Sequence, residues 1–143
     1  MATAPVARIF VAEDNPADVY MIEFALRENG VLFDLHVAAT GKEALIFLDR
    51  EVESAGKALD LVVLDLNLPQ HDGTEILLRL RENSRLAAVP VVVFTSSDSA
   101  KDRIAALDAG ANLFIRKPSN LASFVAVGAT LKGMLSGASA ATH

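Results

Sequence analysis

Acidic side chains follow two short apolar runs, at positions where parallel strands of a sheet would end. Glu13 and Asp14 follow the run 8–12, and Asp65 follows the run 60–64. If the two runs are neighbouring strands, three carboxylates share one crevice and raise each other's pKa unless a cation neutralises them. Oxygen ligands of this kind suit Mg²⁺. A helix cap is the alternative interpretation of the first pair, but Asp65 ends the most apolar strand candidate of the chain, where an unpaired charge is costly.

Hydroxyl and ammonium groups follow two further runs. The fourth run ends in Thr95 and continues into Ser96, and the fifth leads into Lys117 and Pro118. Beside a bound cation, a hydroxyl and an ammonium form a clamp for a phosphoryl group. Each residue alone fits a helix cap or a solvated loop lysine equally well, so the signal is their joint placement. The dipeptide Lys117-Pro118 also predicts a cis peptide bond that aims the lysine inward.

The elements that would position these groups alternate along the chain. Strand-like runs occupy residues 8–12, 33–38, 60–64, 91–95 and 112–115. Helical patterns follow them, with start signals at Asn15-Pro16, at the capping box from Thr40 to Glu43, and near Gly73, Ser97 to Ser99, and Ser119. The third and fourth runs are apolar on both faces, as in central parallel strands. The second run alternates with Asp34 and His36, which is typical of an edge strand.

Five such units predict an α/β fold, the flavodoxin-like doubly wound (βα)5 arrangement with parallel sheet order 2-1-3-4-5. Ligands of such sheets bind where the strand order reverses, here between the first and third strands. A chain of 143 residues is one domain in size. We assign residues 1–7 to an N-terminal tail, 8–136 to the domain, and 137–143 to a disordered C-terminal tail.

The composition excludes several classes of protein. A chain with 52% hydrophobic residues and no cysteine is neither disordered nor a disulfide scaffold. A net charge of −5 disfavours a nucleic-acid or anionic-membrane surface, because both need clustered cations. No run approaches the ~20 apolar residues of a membrane helix, and no signal peptide is recognisable. We therefore expect a cytoplasmic protein with no nucleic-acid or membrane partner.

Taken together, these residues resemble the receiver domains of two-component response regulators, over residues 8 to about 135. The matching positions are Glu13, Asp14, Asp65 within the run 64–69, Gly73, Thr95, Ser96, Gly110, Ala111, Lys117 and Pro118. The resemblance implies that a sensor histidine kinase transfers a phosphoryl group to Asp65 in a Mg²⁺-dependent reaction, after which the domain signals by a conformational switch. Such a domain catalyses only its own phosphorylation and dephosphorylation and is not otherwise an enzyme.

The resemblance also implies a ligand set for the metal. Asp14 and Asp65 would bind Mg²⁺ directly, the main-chain carbonyl of Asn67 would be the third protein ligand, and Glu13 would act through water.

Further roles concern the phosphoryl group and the switch. Thr95, beside Ser96, would hydrogen-bond a phosphoryl oxygen, and Lys117 would pair with these oxygens. Phe114 occupies the aromatic switch position, but it has no hydroxyl, so a switch there would depend on packing alone. An ordinary core aromatic is the alternative for Phe114. The expected turn residues are Pro69, Gly73 and Pro118, with Gly73 supplying a backbone conformation that other residues resist.

Rival functions fit the residues less well. A haloacid-dehalogenase-like aspartyl-phosphate phosphatase needs an acid two residues after the nucleophile, where this chain has Asn67. A flavodoxin-like cofactor binder needs a phosphate loop after the first strand, where Glu13 and Asp14 would repel phosphate. A pseudo-receiver would not need Asp65 or Lys117. A phosphorelay intermediate, which passes the phosphoryl group onward, stays open as an alternative.

Expected partners follow from the resemblance. The chain ends soon after the fifth helix, so we expect no attached output domain and an unidentified downstream protein. The run 64–69 and the polar segment 51–58 resemble stand-alone receivers that serve phytochrome-type sensor kinases, with other kinase classes as alternatives. Such a kinase would dock near the first helix, where Tyr20 and Met21 would be exposed. A homodimer through the fourth helix, fifth strand and fifth helix is a further expectation, with an intramolecular core as the alternative for those apolar residues.

Overall fold

Strands and helices alternate in a computed structural model that describes residues 6–53, 56–70 and 72–140. The strands are β1 (Ala7–Ala12), β2 (Phe33–Ala38), β3 (Leu61–Leu64), β4 (Val91–Thr95) and β5 (Leu113–Arg116). The helices are α1 (Pro16–Glu28), α2 (Gly41–Glu53), α3 (Gly73–Glu82), α4 (Ala100–Asp108) and α5 (Leu121–Ala140). This confirms the five predicted units.

The strands form one parallel sheet in the order β2-β1-β3-β4-β5, which confirms the predicted fold. Ala12 lies opposite Ala38 on one side and Leu64 on the other, so the carboxyl ends of β1 and β3 are level. The amide of Asp65 donates to the carbonyl of Ala12 at 3.0 Å, which extends this pairing by one residue. The residues after β1 and β3 therefore enter the same crevice.

Residue type explains the position of each strand in the sheet. All residues of β3 and β4 are buried, because valine and leucine face helices on both sides. In β2, Asp34 is exposed and His36 is half-buried, which suits the predicted edge strand, but Val37 is also exposed although the pattern placed it on the apolar face.

The sheet separates two hydrophobic cores that have no residue in common. The first core lies under α2, α3 and α4, where Phe10 stacks on Phe47 with ring centroids 4.3 Å apart. The second core lies under α1 and α5 and contains Ile22 and Phe124. Alternate residues of a strand point to opposite faces, so Phe114 joins the first core while its neighbours Leu113 and Ile115 pack against the second.

Helices α1 and α5 approach each other closely at Gly128. A Cβ atom at this position would lie 2.4 Å from the carbonyl oxygen of Ala25. The side-chain amide of Asn29, after the end of α1, donates to the carbonyls of Ala25 at 2.8 Å and Val125 at 2.9 Å. These contacts fix α1, and with it the start of the helix next to the crevice.

Three predicted boundaries differ in the structure, and the first is that Ala7, assigned to the N-terminal tail, begins β1. Helix α5 continues to Ala140, whereas the prediction placed a disordered tail from residue 137. The small residues there include alanine and no proline, so nothing in the sequence stops the helix. Residues 1–5 and 141–143 of the predicted tails lie outside the described residues.

The predicted polar segment 51–58 also begins differently. Glu51 belongs to α2 and is buried, at 3% exposure, where it forms an ion pair with Arg8. The hydrogen bond to Glu51 raises the pKa of Arg8.

Candidate functional site

Glu13 and Asp14 follow β1 at the crevice, and a third residue caps the helix. The side chain of Asn15 accepts the amide of Ala17 at 2.9 Å and so serves as the N-cap of α1. Glu13 is 3% exposed and accepts the amide of Asn15 through Oε2 at 3.1 Å, while Asp14 is exposed. The helix start therefore does not need the acidic pair as its cap.

Asp65 lies opposite this pair, at the end of β3. It is 5% exposed, and its Oδ1 accepts the amide of Asn67 at 3.1 Å. One carboxylate oxygen from each of Glu13, Asp14 and Asp65 lies within 4.8 Å of the others. Oxygen donors at this spacing could hold a divalent cation. The buried Oε1 of Glu13 accepts no hydrogen bond of regular geometry from the described residues, but it lies 2.6 Å from the ammonium of Lys117, which is its cationic partner.

Lys117 reaches into the same crevice and contacts three carboxylates. Its Nζ lies 2.6 Å from Glu13 Oε1, 2.8 Å from Asp18 Oδ2 and 2.9 Å from Asp65 Oδ2. Burial alone lowers the pKa of Lys117, but the contacts with these carboxylates outweigh it and raise the pKa above its ordinary value. Lys117 is therefore a charged ammonium in this crevice.

The predicted cis bond before Pro118 is wrong, because the peptide bond is trans. Proline favours cis only in a minority of cases. The lysine is aimed inward by strand pairing instead, since the amide of Lys117 donates to the carbonyl of Thr95 at 2.8 Å.

Asp18 is a site residue that the sequence analysis missed. It lies in the first turn of α1, where an acidic side chain usually indicates only a helix terminus. Here its carboxylate accepts from Lys117, 99 positions away along the chain. The sequence carried no signal for it, because Asp14 precedes the N-cap Asn15 and helical spacing therefore does not bring Asp14 and Asp18 together.

The buried carboxyl of Glu13 has a strongly perturbed pKa. Burial raises the pKa of Glu13 to about 7, and the nearby charge of Asp65 adds to this effect. The contact with Lys117 and the amide of Asn15 offset part of the increase.

Thr95 and Phe114 both lie inside the protein, whereas Ser96 is exposed. Thr95 Oγ1 faces the crevice, with Asn67 Nδ2 at 3.4 Å. The ring of Phe114 is 8% exposed, and the guanidinium of Arg103 on α4 lies 6.0 Å from its centroid.

The turn after β3 depends on Gly73 for a different reason than predicted. Its φ is not positive, but a Cβ atom there would lie 2.7 Å from Leu66 Cα and 2.8 Å from the carbonyl oxygen of Asp65. The positive φ of this turn is at Gln70, at 76°. The carbonyl of Pro69 accepts the amide of Gly41 at 2.9 Å and so ties the turn to α2. Pro118 is half-buried behind Lys117.

The fold and this site define a class of protein: a doubly wound parallel domain with an acidic, lysine-containing site at its switch point. The family model described as response regulator receiver domain matches residues 9–127. The chain belongs to the family of response regulator receiver domains. It is thus a domain of two-component signalling, and the rival phosphatase and flavodoxin interpretations are not favoured.

Individual relatives agree with this assignment. Response regulator Rcp1 of Synechocystis sp. is 33% identical over 114 residues, which are 79% of this chain and 78% of Rcp1. A crystal structure of the phosphorylated cyanobacterial phytochrome response regulator RcpA has a TM-score of 0.80 and 32% identity, over 90% of this chain and 92% of that chain. The Mn²⁺-bound form of Rcp1 has a TM-score of 0.77 and 30% identity, over 88% and 91%.

Other curated relatives are longer. The chain spans 45% of TrcR and 41% of TcrA, two transcriptional regulatory proteins of Mycobacterium tuberculosis. It spans 48% of the transcriptional regulatory protein SphR of Synechococcus elongatus. Within the described part of the chain, none of the helices is long and apolar enough to cross a membrane.

Proposed function

We propose that Asp65 accepts a phosphoryl group from the phosphohistidine of a sensor kinase. A carboxylate oxygen of Asp65 forms a bond to phosphorus, and the bond between phosphorus and the imidazole nitrogen breaks. The nitrogen keeps the electron pair and takes up one proton, so the products are an acyl phosphate and a neutral histidine. The observation that carries this proposal is the contact of Lys117 with Asp65 at 2.9 Å, in a crevice with three further carboxylates.

The surrounding residues suit the transfer. Lys117 would pair with the charge of the phosphoryl oxygens, and the hydroxyl of Thr95 faces the same crevice from β4. Mg²⁺ held by Asp14 and Asp65, with Glu13 acting through water and Asn67 through its carbonyl, would neutralise the charge that the reaction brings together. The oxygen-only donor set supports this ion, and the relative Rcp1 is described in a Mn²⁺-bound form.

The experiment is intact-mass analysis after incubation with Mg²⁺ and a small phosphodonor. We expect one phosphoryl group on the native protein and none on Asp65→Asn, which keeps the shape of the side chain but removes the nucleophile. Asp14→Asn should reduce the labelling, since the metal would bind less tightly. Equal labelling of the native protein and Asp65→Asn would refute the assignment.

A phytochrome-type kinase is the proposed phosphodonor, because the chain is similar to RcpA over 90% of its length. Tyr20 on α1 supports docking beside the site, since its side chain is 62% exposed. Met21 does not support docking there, because its side chain packs against the second core and is not exposed as expected. Phosphotransfer at short times, measured against the histidine kinases of the source organism, tests this choice. Preference for a kinase without a bilin-binding sensor would contradict it while leaving the function of Asp65 intact.

A second protein contact is proposed at α4, β5 and α5. Ile104 and Leu107 on α4 and Leu121 on α5 are 59%, 38% and 56% exposed, which supports an intermolecular contact rather than an internal core for these residues. A homodimer formed there would dissociate on Ile104→Glu, and light scattering at increasing protein concentration measures this. If the native protein stayed monomeric, the dimer would be excluded, and the exposed surface would be available to a downstream partner instead.

A further inference from the structure

Asp18 is bound to the phosphoryl-binding lysine, and helix capping does not explain this. It is the third residue of α1, where an acidic side chain ordinarily reaches back to the amide of the N-cap residue. That amide, on Asn15, donates instead to Glu13 Oε2 at 3.1 Å. The carboxylate of Asp18 points to Lys117 Nζ at 2.8 Å and is only 20% exposed.

The contact makes Asp18 a competitor for a single ammonium. Lys117 already contacts Asp65 at 2.9 Å, so Asp18 Oδ2 and Asp65 Oδ2 are separated by less than the sum of the two contacts. A phosphoryl group on Asp65 would carry about two negative charges, where the free carboxylate carries one. The ammonium would then have to serve the phosphoryl oxygens, and Asp18 would lose its partner or share it.

Asp18 also differs from the other acids of the crevice in its relation to the metal site. The three carboxylates that lie within 4.8 Å of one another are those of Glu13, Asp14 and Asp65. Asp18 is not in that set, so its removal leaves the proposed metal ligands in place.

We propose that Asp18 is a positioning residue that opposes phosphorylation: its carboxylate holds Lys117 in the unphosphorylated site and repels the phosphoryl group that replaces it. This inference depends on the proposed function of Asp65. It predicts that a neutral side chain at position 18 strengthens the binding of a phosphoryl group but does not strengthen the binding of Mg²⁺.

The test is a titration of the full chain with beryllofluoride, a phosphoryl mimic, at saturating Mg²⁺. Because the chain has no tryptophan, bound beryllofluoride is followed by ¹⁹F NMR. Asp18→Asn keeps an oxygen that accepts from Lys117 and removes only the charge. We expect this variant to bind beryllofluoride about tenfold more tightly than the native protein, equivalent to roughly 1.4 kcal/mol. Its affinity for Mg²⁺, measured separately by calorimetry, should not increase, because the lost negative charge repels an anion but attracts a cation.

Matched variants separate this role from a structural one. Asp18→Glu restores the charge and should return the affinity for beryllofluoride towards the native value. Glu23→Gln, on the same helix, should have no effect, because Glu23 pairs with Arg27 on the surface. Unchanged or weaker binding by Asp18→Asn, with its melting temperature preserved, would overturn the inference. Native protein that binds no beryllofluoride, or binds it equally after Asp65→Asn, would instead refute the proposed function.

Discussion

At the scale of single residues, the site contains more acidic side chains than basic ones. Lys117 contacts three carboxylates, and Asp14 adds a fourth acidic residue to the crevice. The buried carboxyl of Glu13 responds with a pKa raised to about 7, because burial disfavours its ionised form more than Lys117 favours it. In the absence of metal, the clustered carboxylates therefore destabilise the folded protein, and either protonation or binding of a cation reduces this destabilisation.

This balance gives the metal-free protein a characteristic pH dependence. An acid whose pKa is higher in the folded than in the unfolded protein binds protons preferentially to the folded state. The contribution of Glu13 to the free energy of unfolding should therefore fall by roughly 1–3 kcal/mol as the pH rises from about 4.5 to about 7. Glu13→Gln should remove this part of the slope, as measured by urea unfolding at a series of pH values without metal.

The control for that experiment is Glu28→Gln, on the exposed side of α1. Its stability curve should keep the native shape, because a solvated side chain changes its surroundings little on folding. If Glu13→Gln also kept the native slope, the buried carboxyl would not be the origin of the pH dependence.

Thr95 provides a second prediction at this scale. Its hydroxyl is buried at the crevice and has long contacts with Asn67 Nδ2 at 3.4 Å and the amide of Ser97 at 3.5 Å, so a phosphoryl oxygen would offer it a better partner. Thr95→Ala should leave Mg²⁺ binding intact but weaken the response to beryllofluoride, by roughly 1.5–3 kcal/mol of differential contact. The measurement is the NMR shift change at Phe114 and along α4, and Thr95→Ser should restore it. Identical shifts in the native protein and Thr95→Ala would reduce Thr95 to a structural residue.

Residue types at strand ends were sufficient to predict most of the proposed site. Glu13, Asp14, Asp65, Thr95 and Lys117 all lie at or just after strand ends, and topology alone brings strand ends together. Asp18 was not predictable in the same way, because a helix residue enters the site only if the helix start turns it inward. The sequence also could not show why position 73 requires glycine, since the close approach of Gly73 to Leu66 and Asp65 is a tertiary contact.

At the scale of elements, the position of α1 depends on a glycine in α5. A methyl group at Gly128 would meet the carbonyl oxygen of Ala25 at 2.4 Å, and backbone cannot move aside as a flexible side chain can. Gly128→Ala should therefore destabilise the protein by about 1–3 kcal/mol. Because α1 carries Asp18, we expect its contact with Lys117 to be disturbed as well. Chemical denaturation measures the first effect.

The same helix supplies a matched control. A Cβ atom at Gly133 would meet no other atom within 4 Å, so Gly133→Ala should stabilise the protein by ~0.5–1 kcal/mol through helix propensity. Opposite signs for the two substitutions would show that the effect at Gly128 is packing. Destabilisation of similar size at both positions would point to a general intolerance of α5 instead.

Element types and order could be predicted because hydrophobic periodicity and capping residues act locally. Asn15 before Pro16 marks the start of α1 correctly, and Thr40 with Glu43 marks that of α2. The end of α5 was predicted too early, because small polar residues permit a helix or a tail, and local sequence does not decide between them.

At the scale of the whole molecule, metal binding and folding should be coupled. A cation bound only by the folded protein stabilises it by about 2.7 kcal/mol at a hundredfold excess over its dissociation constant. Mg²⁺ should therefore raise the melting temperature, and Asp14→Ala should remove most of the increase, since Asp14 contributes one of the three clustered carboxylates. Calorimetry at fixed pH measures the effect. A native melting curve indifferent to Mg²⁺ would contradict the proposed metal site.

The division into two cores has a consequence for how the two sides of the protein can change. Ile22 belongs to the core beneath α1 and α5, and Ile76 belongs to the one beneath α2, α3 and α4. Because the clusters share no residue, the costs of Ile22→Val and Ile76→Val, about 0.5–1.5 kcal/mol each, should add within ~0.5 kcal/mol in the double variant. The side that carries Asp18 and the side that carries Phe114 would then tolerate substitutions independently, so that recognition of one partner can diverge without repacking the surface offered to another.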